Sequence, residues 1–207
     1  MALMRLGFES DIWIAPLLKY YDKFKDEGLY DFIEKLNNKF ASDWISGLTP
    51  TDRIKNTNAI ISKIDEVQSL ENLLNNTVLD IDVDELNVFF AGNVYGKRAT
   101  RYVLLRLNYL YSDVDTILSF PDTISIEHIL PQNPKEGSQW RNDFSEDERK
   151  EWTNKLGNLI ILSRRKNSSQ SNLDYQQKKT KYFKGNVGLG RSASIMSKDT
   201  WKLQDLA

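Results

Sequence analysis

Cysteine is missing from this 207-residue sequence, and histidine occurs once, at His128. The first absence excludes a disulfide framework, a thiol nucleophile, an iron–sulfur cluster and every cysteine-ligated zinc site. The second excludes any mechanism or metal site that needs two imidazoles. No apolar run approaches the ~18 residues a membrane helix requires, and the N-terminus has no signal-peptide pattern. A soluble, cytoplasmic protein with no membrane partner is the expectation. Also absent is a glycine-rich phosphate loop followed by Lys and Ser/Thr, so no NTP is expected to bind this chain.

What is present is a core-forming composition, 40% hydrophobic and 11% aromatic, in a chain of near-neutral charge. Its length suits one large domain or two small ones. The 28 basic and 29 acidic side chains are unevenly spread. Residues 1–112 carry a net −3, residues 113–163 a net −5, and residues 164–207 a net +7. A basic quarter behind an acidic stretch points to a polyanion partner, or to two surfaces that attract each other.

The pattern of apolar residues divides the chain in two. Over residues 1–112 it is helical: Trp13, Leu17, Tyr20 and Phe24, then Leu29, Phe32, Ile33, Leu36 and Phe40, fall at three- and four-residue steps. Thr49-Pro50-Thr51-Asp52 supplies a turn and an N-cap, after which Ile54, Ile61, Ile64, Val67 and Leu74 are expected to line one helix. Two shorter helices follow, around Leu86–Phe90 and Val103–Tyr111. Nothing here has catalytic spacing, so this half reads as a helical scaffold. Beyond Ser112 the texture changes. Thr123–Ile126 is β-prone and delivers Glu127 and His128; residues 132–139 read as loop. Ser145–Glu148 is a capping box that opens a helix ending near Gly157. Asn158–Ser163 reads as a buried strand, and Leu173–Phe183 as a basic helix. The fold class is therefore α+β and mostly α.

The chemistry-bearing residues sit in this second part. A strand ending in an acid and an imidazole, a second strand, and a helix entered through asparagines make a compact setting for one metal ion and one base. Phosphodiester hydrolysis builds negative charge on phosphorus oxygens, which a hard divalent cation stabilises. Such cations take oxygen ligands, which Glu127 and the amide of Asn167 offer, and His128 titrates nearest neutral pH. The bland readings stand beside this one: a hydrogen-bonded structural histidine, a solvated glutamate, a turn asparagine at Asn158, and helix caps at Asn167 and Asn172.

The string Ile126-Glu127-His128-Ile129-Leu130-Pro131-Gln132 resembles the first motif of HNH endonucleases. Leu156-Gly157-Asn158-Leu159-Ile160-Ile161-Leu162-Ser163, followed by Asn167, Ser171-Asn172, Lys179 and Tyr182, resembles the second half of that module. Together they look most like the C-terminal nuclease domain of GmrSD-type restriction endonucleases. The resemblance implies a helical connector over 1–112 and a ββα-metal (HNH) nuclease module over 113–207. It implies His128 as general base, Glu127 and Asn167 as ligands to Mg²⁺ or Mn²⁺, and Asn158 as the residue that braces the loop and orients the histidine. Arg164, Arg165, Lys166, Lys178 and Lys179 would hold DNA, Lys179 or its neighbour Lys178 at the scissile phosphate. The implied function is metal-dependent DNA cleavage in restriction and phage defence, beside a ParB-like nucleotide-hydrolysing domain or subunit, with a homodimer suited to cutting both strands. The alternative is a DNA-binding or assembly module whose site is degenerate, since Glu127 stands where the family more often has Asp.

Overall fold

A computed structural model describes residues 2–111, 124–163, 172–181, 194–195 and 197–206. It is a mostly helical α+β chain with one two-stranded sheet among the described residues. The chain divides into compact units at Phe89–Phe90, before the change of texture at Ser112. The helix over Thr100–Leu110 therefore falls in the second unit.

The first unit is built from α1 (Ala2–Gly7), α2 (Ile14–Phe24), α3 (Leu29–Ile45), α4 (Pro50–Glu66), α5 (Leu70–Leu74) and the start of α6 (Val83–Ala91). Its core is aromatic. Tyr20 stacks on Phe32 with centroids 4.0 Å apart, and Phe8 lies parallel to Trp44. Gly28 links α2 to α3 at φ 55°, in the left-handed region that favours glycine, and a Cβ there would press on the end of the Leu70 side chain. Thr49 caps α4 as expected, its hydroxyl accepting the Asp52 N–H, with Pro50 at the first helical position. The far end of α4 is closed by Lys23, whose ammonium donates to the carbonyls of Ile64, Asp65 and Val67.

The buried face of α4 differs from the expected one. Arg53, Thr57, Ile60 and Ile64 face inward, while Ile54 is 48% exposed. The Arg53 guanidinium lies 4.0 Å over the Trp44 ring, a cation–π contact that gives this polar side chain the inward position. Leu74 belongs to a separate helix, because Ser69 caps α5 through the Asn72 N–H.

In the second unit, α7 (Thr100–Leu110) lies against the sheet. Strands β1 (Ile124–His128) and β2 (Leu159–Ser163) run antiparallel, pairing Ile124 with Ser163 and His128 with Leu159. Leu159 to Leu162 are all fully buried, so β2 is covered on both faces, which its unbroken apolar run requires. Between the strands come α8 (Gln139–Asp143) and α9 (Glu146–Trp152). The short α8 sits next to the stretch read as loop and buries Trp140, whose indole N–H donates to the Leu173 carbonyl at 2.9 Å. The capping box of α9 is present, with Ser145 and Glu148 each serving the other's backbone. Helix α10 (Tyr175–Lys181) completes the layer, with Tyr175, Trp140, Phe144, Trp201 and Leu206 in one core with Ile129, Leu130, Ile160 and Leu162. Gly157 touches the C-terminal segment so closely that a Cβ would sit 2.1 Å from the Leu206 carbonyl oxygen.

Candidate functional site

The candidate site lies at one end of β1. Its last two residues, Glu127 and His128, are 7% and 6% exposed. They line a hollow of about 280 Å³ shared with Tyr95, Ile126, Pro131, Gln132, Asn133 and Asn172. A second cleft of about 600 Å³ adjoins it through Gln132 and Asn133 and is edged by Arg141, Arg149 and Lys150.

Three contacts hold His128, two on its ring and one on its backbone. Its Nε2 lies 3.1 Å from Asn154 Oδ1, the Tyr95 ring rests 4.2 Å away at 56°, and the backbone carbonyl of His128 accepts from Lys178 Nζ at 2.6 Å. Burial holds the ring below its ordinary pKa of 6.5; the Asn154 contact opposes this, and the Lys178 charge adds to it. At neutral pH the ring is therefore uncharged and able to accept a proton.

Glu127 faces the same lysine, with Lys178 Nζ 3.6 Å from its Oε1. Burial pushes the carboxyl up from 4.5, against the pull of the Lys178 charge. Burial likewise pushes the Lys178 ammonium down to about 8, against the pull of Glu127. Lys178 is 1% exposed, so it is turned inward and spent on the β1 terminus, away from the surface where a DNA contact was expected. Lys179 is half-buried on α10 and donates to the Lys198 carbonyl at 2.6 Å.

Asn158 is the brace. Fully buried, it accepts the Leu130 N–H at 2.7 Å and donates to the carbonyls of Leu130 and Thr153, each at 2.8 Å. It thereby ties the loop after β1 to the turn before β2, four residues beyond the asparagine that touches the ring. Asn167 lies outside the described residues, as do Arg164, Arg165, Lys166 and Tyr182. Among the described residues no three histidine or acidic side chains cluster. Beside the His128 imidazole, the side chains lining the hollow that carry oxygen donors include the Glu127 carboxylate and the amides of Asn133, Gln132 and Asn172, a donor type that hard divalent cations take.

Three residues of this site carry no motif: Tyr95, Asn154 and, in its inward role, Lys178. Asn154 follows a helix C-terminus, where an asparagine reads as a cap, and its partner is 26 residues away.

The family model for the C-terminal domain of GmrSD restriction endonucleases matches residues 81–207. That span includes the whole second unit and every residue of the hollow. No curated protein matches the chain.

Proposed function

The chain belongs to the family of GmrSD restriction endonuclease C-terminal domains, and from that premise we propose that it cuts DNA at an HNH-type, ββα-metal site centred on His128. Membership gives it a restriction-endonuclease-related function and nuclease activity. The observation that carries the finer reading is the β1 terminus: a neutral, buried imidazole and a carboxylate side by side in one polar hollow, with Asn158 locking the loop that follows.

In this reading His128 takes a proton from water, and the hydroxide oxygen bonds to phosphorus as the bond to the departing sugar oxygen breaks. That oxygen leaves with a proton drawn from solvent. Glu127 and the amide oxygens of the hollow fit a divalent ion, with Asn167 as the further ligand, and Mg²⁺ or Mn²⁺ would supply charge stabilisation to the phosphoryl oxygens. Tyr95 packs against the imidazole and Lys178 holds the strand end from behind. The basic residues Arg164, Arg165, Lys166 and Lys179 supply DNA-backbone contacts in this scheme. Defence against foreign or modified DNA, alongside a nucleotide-hydrolysing ParB-like partner, follows from the same resemblance.

A second reading, a DNA-binding module with a degenerate site, has one observation in its favour: Glu127 is already paired with Lys178. Supercoiled-plasmid nicking in Mg²⁺, Mn²⁺ or EDTA separates the two. Metal-dependent nicking supports the nuclease; plasmid retarded in a gel but intact under every condition supports the binding module.

A further inference from the structure

Only the ring nitrogen that lacks a hydrogen can accept a proton, and the contact made by the other nitrogen decides which one that is. His128 Nε2 meets Asn154 Oδ1 at 3.1 Å. Asn154 is itself held firmly. Its backbone carbonyl accepts the N–H groups of Val94 and Tyr95, at 2.9 and 3.2 Å. Its side-chain oxygen also accepts from Gln132 Nε2 at 3.3 Å. A carboxamide oxygen accepts and never donates, so the atom facing the imidazole calls for a hydrogen on Nε2.

We propose that Asn154 is the positioning residue of this site: it accepts the Nε2–H of His128 and holds the ring as the tautomer whose Nδ1 carries the lone pair. The middle asparagine Asn158, expected to orient the histidine, braces the loop, and the orienting contact belongs to Asn154. Tyr95 is part of the same device, since its backbone fastens Asn154 while its ring limits the imidazole's tilt. This inference rests on His128 being the base. The proton removed from water then goes to Nδ1, and the imidazolium that forms keeps its Nε2–H on Asn154.

Because the chain has one histidine, ¹⁵N-histidine labelling gives a single pair of ring signals, recorded at pH 9 where the ring holds one proton. The parent is expected to show the Nε2–H tautomer alone. Asn154→Leu removes the acceptor but leaves the main-chain carbonyl and its two bonds, so the fold should persist. Its ring signals should become a mixture of tautomers, and kcat for plasmid nicking should fall about tenfold or more with KM unchanged, a loss of the size seen when the hydrogen-bond partner of a metal-bound histidine is removed. Asn154→Asp keeps the acceptor oxygen and should restore the single tautomer. An Nδ1–H ring in the parent overturns the proposal, and so does a tautomer unchanged in Asn154→Leu. The ring signals decide the role of Asn154 even if the parent does not nick DNA, an outcome that would count against His128 as base instead.

Discussion

Replacing Asn158 by Ala should destabilise the second unit far more than its modest size suggests. Three hydrogen bonds of 2.7 to 2.8 Å disappear together, and the Leu130 N–H, the Leu130 carbonyl and the Thr153 carbonyl lose the partner they have in a fully buried site. At about 1 kcal/mol net for each bond, the loss is about 3 kcal/mol. For a unit of roughly 120 residues, an unfolding entropy near 2.1 cal/mol/K per residue makes that a fall of about 12 °C in Tm. Scanning calorimetry on parent and variant reads it directly. Asn158→Asp is the informative control: it keeps the shape and an acceptor for the Leu130 N–H, withdraws both donors and buries a charge, so it should be at least as damaging. A loss below about 1 kcal/mol in Asn158→Ala would refute the account of Asn158 as the brace between the two halves of the motif.

Two further outcomes follow from buried groups. Lys178→Met leaves the Glu127 carboxylate buried without its cation and should cost about 3–5 kcal/mol by urea unfolding, with much of it recovered in Lys178→Met/Glu127→Gln; no recovery in the double variant would show that the pair does not act as a unit. Tyr175, which donates to the Ile195 carbonyl at 2.6 Å, has its phenol pushed up to about 12 by burial. The folded state therefore keeps a proton that the unfolded chain releases near pH 10, so stability is full below pH 10 and falls by about 2 kcal/mol as pH rises toward 12. Tyr175→Phe should flatten that fall in alkaline melts; an equally steep fall would assign it to other groups.

The parts legible in the sequence are those set by short-range physics. The Thr49 cap, the Ser145–Glu148 capping box and the apolar run of β2 each follow from neighbours within a few residues, and each appears in the fold. The family's two strings could be read for the same reason, since each is a contiguous segment. The face of α4 was not legible, because Arg53 is buried by the remote Trp44 ring. Nor were the partners of His128: Asn154 lies 26 residues on and Lys178 50 residues on. Nothing near either residue distinguishes it from a helix-end asparagine or a solvated lysine. Lys178 and Lys179 are adjacent in a basic helix, and only the packing of α10 decides that the first is fully buried and the second half-buried.

If His128 is the base of a DNA-cleaving site, its imidazole must be needed for cleavage. The direct measurement is the rate of plasmid nicking in Mn²⁺ by His128→Ala against the parent, on preparations with matching melting curves. A loss of about 10²–10⁴-fold is expected, the contribution typical of a general base. A variant that nicks as fast as the parent would contradict it.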